Sequence, residues 1–293
     1  MRSAEHTVVV RLDAPDDFAG FRQAARVLLA LGVEPDAVHW RFHDALTTNS
    51  TVDDLFAAPE ASSAGVELTP DMLDRLPLPP SAPMRIKKAQ LDTLRNACCH
   101  RNPGRFALCY RWLWRVQQQP SLAGDVLDAD WCDINRLAQA VGRAIHKMHA
   151  FVRFRPVEQP DGECLHMAWF EPDHHVVRAA SGFFVRRFAN MPWAILTPDV
   201  CALWDQEKLH LLPGATADQA PAPDAGEALW LTYYQSTFNP ARLKEQAMLK
   251  EMPRRYWKNL PEAQLISGLV ANARSRTANM LADAEPLHRP SDP

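Results

Sequence analysis

The chain has 293 residues, of which 47% are hydrophobic and 23% charged, and its formal net charge is −3 at pH 7. These values are typical of one large or two modest globular domains. The sequence contains no run of about 18 apolar residues, which excludes a membrane-spanning helix of the usual kind, and the N-terminus lacks the apolar stretch of a secretory signal. We therefore expect a cytoplasmic protein.

The six cysteines form no Cys-x-x-Cys pair, and their spacing fits neither a zinc site nor an iron–sulfur cluster. Reduced and mostly buried thiols are expected instead. The sequence also contains no nucleophile-elbow, zincin, phosphate-loop or deaminase motif. We predict no cofactor and no bound metal.

The first 46 residues have the pattern of a β-α-β unit. His6–Leu12 and residues 38–42 are β-branched or aromatic and predict strands. Between them, Asp16 and Asp17 precede an apolar-periodic stretch that ends at Gly32, which predicts a helix. No Gly-rich loop follows the first strand, so dinucleotide binding is excluded.

Residues 47–83 are rich in Ser, Thr and Pro and predict a connection to the main body. A main α+β domain is expected over residues 84–282, and residues 283–293 are expected to be a tail or linker. Within the main domain we predict helices and short strands in the order helix 87–98, helix 105–118, a helix from Asp130, strands 151–157 and 164–172, helix 174–191, strands 193–198, 201–205 and 208–213, and then helices. The predicted fold is α+β, an antiparallel sheet of short strands backed by helices, with the N-terminal β-α-β unit.

Charge is distributed unevenly along the chain. Residues 84–155 hold 13 basic and 5 acidic side chains, and residues 240–280 hold 8 basic and 3 acidic side chains. The segments 1–83 and 156–239 are acidic. Since a polyanion responds to nearby Lys and Arg, two basic blocks could form one binding face. Ordinary solvated surfaces are the alternative explanation.

Several longer runs resemble a known family. These are KMHAFVRFR (147–155), FEPDHH (170–175), WAILTPD (193–199) and, above all, YYQSTFNPARLKEQAMLKEMPRRYWKNLPEA (233–263). They resemble a bacterial family of DNA-metabolism proteins whose members are encoded beside a radical-SAM DNA-repair protein. The same domain forms the N-terminal half of UdgX-type uracil-DNA-binding proteins, ahead of a uracil-DNA glycosylase domain, and residues 17–40 are similar to the start of those fused proteins.

The resemblance implies a role in DNA repair and names no catalytic residue. The glycosylase half would need a Gly-rich water-activating motif and an active-site His in a basic loop, and the sequence contains neither. The chain is therefore expected to be either a stand-alone member or the N-terminal portion of a fused protein.

Three clusters of side chains are candidates for DNA contact. Arg153 and Arg155 would lie about 6–7 Å apart on one face of a strand, next to Lys147 and His149. Arg186 and Arg187 follow two phenylalanines on a helix, a combination that suits stacking and phosphate contact. The alternatives are a solvated strand face for the first cluster, and for the second an aromatic core with the arginines outside it.

The third cluster lies near the C-terminus and consists of Arg242, Arg254, Arg255, Tyr256 and Lys258. Prolines flank the segment MPRRYWKNLP, so its polar groups are expected to be held in place. Aromatic rings could insert beside bases while the cations hold phosphates. The alternative is a rigid corner between helices with Trp257 buried.

Glu171, His174 and Asp199 are the candidate catalytic residues, because carboxylates and imidazoles can exchange protons or bind a metal. Helix capping by Asp173 with structural histidines is the alternative. We expect first a DNA-binding domain that presents damaged or uracil-containing DNA to a glycosylase domain or a radical-SAM partner. A hydrolase that processes DNA bases or backbone comes second, and a protein-interaction module without DNA contact comes third.

Overall fold

The computed structural model describes residues 7–42, 66–69, 72, 86–159, 162–220, 245–260, 262, 263, 265, 266 and 268. The chain divides into two compact units, one made of residues 1–147 and 172–182, the other of residues 148–171 and 183–293. The predicted domain boundaries at 46/47, 83/84 and 282/283 lie outside the described residues. The α+β class is confirmed, since sheets of short strands alternate with helices.

The first unit begins with the predicted β-α-β arrangement. Strand β1 (Val8–Leu12) pairs in parallel with β2 (Val38–Phe42), and helix α1 (Phe18–Ala30) connects them. The carboxylate of Asp17 caps α1 by accepting the Gly20 N–H at 2.8 Å. A third parallel strand, β3 (Val66–Leu68), pairs with the other edge of β1 and lies inside the segment predicted to be a connection.

Three further helices belong to this part of the chain. They are α2 (Lys88–Cys98), α3 (Arg105–Gln118) and α4 (Ala129–Phe151), and the last of these runs on into the second unit. The core of the first unit combines β1, α1, α3 and the start of α4 through Val10, Leu12, Phe21, Leu28, Phe106, Tyr110, Trp112 and Ile134. The predicted helices are therefore amphipathic, with their apolar stripes facing one core.

Charged groups also connect α3 to the start of α4. The Asp130 carboxylate accepts hydrogen bonds from Arg111 and Arg115, with shortest distances of 2.6 and 2.8 Å. Arg115 also binds Asp128 at 2.6 Å, and Asp128 accepts the Trp131 N–H at the first turn of α4. Burial alone would raise the pKa of Asp130, but these two guanidinium groups hold it below its usual value.

The second unit contains a five-stranded sheet in the order β4-β5-β6-β7-β8. The strands are β4 (Arg155–Glu158), β5 (Cys164–Trp169), β6 (Trp193–Leu196), β7 (Val200–Trp204) and β8 (Leu209–Pro213). Neighbouring strands are antiparallel as predicted, apart from β5 and β6, which are parallel. Helix α5 (Val177–Arg187) connects that parallel pair, as a crossover requires.

The strand predicted over residues 151–157 is displaced. Phe151 still belongs to α4, and the Val152 N–H continues the helical pattern by donating to the Met148 carbonyl at 3.2 Å. Strand β4 starts only at Arg155. The apolar spacing of Met148 and Val152 suits the helix, and this local pattern prevails over the β-branched alternation that suggested a strand.

Near the C-terminus, the described residues contain helix α6 (Glu245–Glu251) and a 3-10 turn (Arg254–Asn259). Leu260, Ala263 and Ile266 form a small buried cluster with Phe151 and Met248. No helix within the described part of the chain is long and apolar enough to cross a membrane.

Candidate nucleic-acid interface

The turn Arg254–Asn259 is held by its own backbone and by an indole. The Tyr256 N–H donates to the Pro253 carbonyl at 3.0 Å, and the Leu260 N–H donates to the Trp257 carbonyl at 3.1 Å. The Trp257 Nε1–H donates to the Met252 carbonyl at 3.0 Å, which ties the turn to the end of α6. The segment therefore forms a corner, as the alternative explanation has it, but Trp257 is half-buried and not buried.

Tyr256 anchors this turn in the core of the second unit. Its side chain is 2% exposed, and its ring stacks on Phe170 with centroids 5.4 Å apart and planes 4° from parallel. Phe151 contacts the same ring at 5.5 Å. In this conformation the Tyr256 ring therefore packs inside the protein, against one stacked and one tilted ring, and its insertion beside DNA bases stays a prediction.

Arg254 and Arg255 lie on the solvent side of the anchored turn, and both are exposed. The Arg254 guanidinium lies 5.7 Å from the Trp257 ring, and that of Arg255 lies 4.9 Å from the Tyr256 ring. Arg255 also donates to the Tyr256 hydroxyl at 3.3 Å. Cations backed by aromatic rings lose less conformational freedom on binding, which suits phosphate contact.

The predicted pair of strand arginines is not formed, because Arg153 precedes β4. Its guanidinium donates to the Ala150 carbonyl at 2.7 Å and to Glu262 at 3.1 Å, where the Glu262 side chain is only 7% exposed. Arg153 therefore connects the end of α4 to Glu262, which lies next to the buried cluster of Leu260, Ala263 and Ile266. Arg155 is the first residue of β4 and is half-buried.

The other candidate basic residues are placed as follows. Arg186 and Arg187 are exposed at the end of α5. Phe184 is buried against Trp193, as the alternative proposed, whereas Phe183 is half-buried. Lys147 is half-buried, and His149 stacks on Phe183 at 4.2 Å. Arg242 and the side chain of Lys258 lie outside the described residues.

The three candidate catalytic residues do not belong to one unit. Glu171 and Asp199 lie in the second unit, and His174 lies in the first. The Glu171 carboxylate accepts the Trp169 Nε1–H at 2.9 Å, which gives it a structural partner. Among the described residues, no group of three His, Cys, Asp or Glu side chains is arranged to hold a metal ion.

In the first unit, His174 forms a pair with His100 that the sequence did not indicate. The two imidazole centroids are 4.0 Å apart. Their Nδ1 atoms accept consecutive backbone N–H groups, from Arg101 to His174 at 3.4 Å and from Asn102 to His100 at 2.9 Å. Because both Nδ1 atoms accept, the proton of each neutral imidazole is on Nε2. Neither ring therefore has a lone pair left for a metal.

The pKa of His174 is lowered to about 4, chiefly by burial, and the lowering effect of the neighbouring His100 exceeds the raising effect of the Asp173 carboxylate. An unfolded His titrates near 6.5, so between pH 6.5 and 4 the unfolded chain binds a proton that the folded chain does not. We expect the melting temperature to fall as the pH is lowered through this window, and His174→Asn to flatten the fall. Thermal melts between pH 7 and 4 measure it.

The matched control for this pH series is His146→Gln, which removes an exposed histidine from α4. It should retain the wild-type dependence of melting temperature on pH. Equal slopes for His174→Asn and the wild-type chain would show that the pair does not couple folding to protonation.

A cleft of about 870 Å³ in the first unit was also missed by the sequence analysis. It opens beside the loop after β1 and the first turn of α1, and its charged lining consists of Asp13, Asp16, Asp17, Arg22, Arg95 and Arg178. Asp16 pairs with Arg178 at 3.3 Å, and Arg95 lies 5.2 Å from the Phe18 ring. The sequence signal for this cleft was the run of aspartates after β1. Arg95 and Arg178 could not be assigned to it, because they come from distant parts of the chain. Carboxylates and guanidiniums are equal in number here, so the lining selects no single charge of ligand.

The fold and the exposed arginines define an α+β protein of two units with a candidate surface for polyanions. The chain belongs to the family described as Domain of unknown function (DUF4130), which matches residues 103–262, more than half of its length. The match includes α3, the five-stranded sheet and the anchored turn at Arg254 and Arg255. No curated protein and no solved structure matches the chain.

Proposed function

We propose that the chain is a DNA-binding domain of a bacterial, cytoplasmic DNA-repair system. In this proposal it presents damaged or uracil-containing DNA to a partner enzyme, either a uracil-DNA glycosylase domain or a radical-SAM protein. The proposed partner and lesion rest on the resemblance to the bacterial family of DNA-metabolism proteins. Residues 147–155, 170–175, 193–199 and 233–263 carry that resemblance. The DNA contact rests on the arrangement of side chains.

The supporting observation is the anchored turn that carries Arg254 and Arg255. A buried aromatic residue fixes the turn, ring contacts support both guanidinium groups, and both arginines are exposed residues. Arginine forks match phosphate oxygens well, and a pre-formed pair avoids much of the ordering cost of binding. A surface of this kind positions DNA without reading its sequence.

A protein-interaction module is the second candidate, because two large apolar side chains are strongly exposed. Val126 and Leu127 are 72% and 83% exposed, and they lie between Asp125 and Asp128 in the loop before α4. Asp125 accepts the Leu127 N–H at 2.9 Å, which keeps this loop ordered. Exposed apolar residues on an ordered loop suit a protein partner. The hydrolase alternative stays a prediction, with its Glu171 carboxylate already accepting the Trp169 Nε1–H.

The test is binding to single- and double-stranded DNA, with and without uracil, across a series of salt concentrations. The logarithm of the binding constant for B-DNA falls linearly with the logarithm of the salt concentration. The slope of this salt dependence is about 0.9 for each phosphate that the protein neutralises. Arg254→Ala combined with Arg255→Ala should therefore reduce that slope by about 2 and weaken binding about 60-fold at 0.1 M salt. Fluorescence anisotropy at each salt concentration measures both quantities.

The control is Arg22→Ala combined with Arg26→Ala, which removes two exposed arginines from α1 and the same net charge. This pair should leave the slope unchanged. Equal losses in the two double variants would indicate only a general electrostatic attraction, and no binding of the wild-type chain to any DNA at low salt would refute the proposed function. A preference for uracil-containing DNA would support the glycosylase partner.

A further inference from the structure

The outer face of α4 within the first unit is basic and polar. We define it by its exposed members Arg136, Gln139, Gly142, Arg143 and His146. They recur at spacings of three and four residues and so lie along one side of the helix. Asp133 is the last acidic residue of α4, and its ion pair with Arg136 is between exposed groups, a kind that contributes little. This face therefore has an excess of positive charge.

Two side chains of this face have no partner in the part of the chain that the structure describes. Within the described residues, Arg143 and His146 have no hydrogen bond, ion pair or ring contact. Arg136 and Arg143 are seven residues apart, or about 10 Å along the helix axis. Two arginines at that separation can contact different phosphates of one backbone.

Gly142 is a second and independent observation on the same face. It lies in the middle of a 23-residue helix, where glycine is among the least favourable residues. A Cβ atom at this position would meet nothing within 4 Å among the described residues, so none of their side chains or backbone atoms requires a glycine here. A glycine that packing does not explain suits a surface to which another backbone approaches closely.

We propose that the outer face of α4 is a second DNA surface that binds the phosphate backbone of duplex DNA, with Gly142 leaving room for the sugar-phosphate chain between Gln139 and Arg143. The proposal rests on the proposed function, but it involves different residues and the other unit. Duplex DNA is the expected form because no exposed position of α4 is Phe, Tyr or Trp, and single strands are bound largely by stacking on such rings.

The first test variant is Arg143→Ala, assayed with duplex and single-stranded DNA of the same length. Losing one phosphate contact should reduce the salt slope by about 0.9 and weaken duplex binding about eightfold at 0.1 M salt. Single-strand binding should change less. An unchanged slope for duplex DNA would overturn the proposal.

The second variant is Gly142→Gln, which adds bulk without charge. Gln is a better helix residue than Gly, so the melting temperature should rise by a few degrees while duplex affinity falls, and a folding defect cannot mimic that combination. The control is Gly124→Gln, since Gly124 is also exposed and has nothing within 4 Å of its Cβ position; it should leave duplex affinity unchanged.

The two proposals fail in different ways. If the wild-type chain binds DNA and loses affinity on Arg254→Ala with Arg255→Ala, but keeps full affinity in Arg143→Ala and Gly142→Gln, the second surface is refuted and the proposed function stands. If the wild-type chain binds no DNA at low salt, the proposed function fails, and the second surface fails with it.

Discussion

Replacing Arg105 by Met is expected to lower the free energy of unfolding by about 3 kcal/mol, since one buried and two partly buried carbonyl groups would lose their donor, and a buried group left without a partner costs about 1–3 kcal/mol. Arg105 is 1% exposed. Its guanidinium donates to the carbonyl oxygens of Cys98 at 2.8 Å, Asn102 at 2.9 Å and Pro15 at 2.6 Å. Urea titration followed by tryptophan fluorescence measures the loss.

The sign of this effect depends on what remains after the substitution. Burial of the guanidinium is unfavourable and lowers the pKa of Arg105, so removing the charge relieves part of that cost. The Cys98 carbonyl stays buried and those of Asn102 and Pro15 stay partly covered, however, and methionine offers none of them a donor. The Phe106 ring, 4.5 Å from the guanidinium, also loses a cation contact. The net result is destabilisation.

Two further variants make the Arg105 prediction specific. Arg105→Lys retains the charge but cannot reach three divergent carbonyls, so it should recover only part of the stability. Arg26→Ala, at an exposed position of α1, should change the free energy of unfolding by less than about 0.5 kcal/mol. A change of that small size for Arg105→Met would mean that the carbonyls find other donors.

Arg105 also shows where sequence analysis stops. The helix from Arg105 to Gln118 was predicted with its observed bounds, because apolar residues recur at helical spacing and glycine precedes it. The burial of its first residue depends on Pro15, 90 residues away, whose carbonyl faces the guanidinium. Local periodicity contains no information on such a contact, and a charged residue in the first turn of a helix would ordinarily be exposed.

In the candidate site, too, the features set by local sequence could be predicted, whereas those that depend on distant contacts could not. The corner formed by Arg254–Asn259 was predictable from the proline before it and from the clustering of aromatic and basic residues. The roles within it were not, since Tyr256 is fixed by Phe170 and Phe151 from earlier parts of the chain. The pair of His100 and His174 likewise depends on two loops more than 70 residues apart.

Burial also explains the state of the cysteines. Cys98, Cys99, Cys109 and Cys201 are buried and free, whereas Cys132 and Cys164 are exposed. Burial raises the pKa of the Cys99 thiol to about 12, and it raises that of Cys98 as well. Thiols in this state are poor nucleophiles and act as small apolar side chains, as the sequence analysis expected.

Tyr256→Ala is expected to lower the free energy of unfolding by about 4 kcal/mol, the usual scale for truncating a buried aromatic side chain. The substitution removes the ring between Phe170 and Phe151 and the surface against which the Arg255 guanidinium packs. DNA affinity should fall together with stability, because Arg254 and Arg255 would lose their fixed placement. Urea titration and anisotropy on the same preparations compare the two effects.

Tyr256→Phe separates anchoring by this ring from direct contact with DNA. The ring remains and the hydroxyl, which accepts from Arg255 at 3.3 Å, is lost, so the stability should fall by much less than in Tyr256→Ala, by about 1–2 kcal/mol. If Tyr256 acts only by holding the turn, Phe should retain nearly full DNA affinity. A large loss of affinity in this stable variant would contradict the anchoring role, since it would require the hydroxyl to meet DNA from a position that is 2% exposed. Full affinity would leave Arg254 and Arg255 as the groups that contact phosphate, with the aromatic core setting their position.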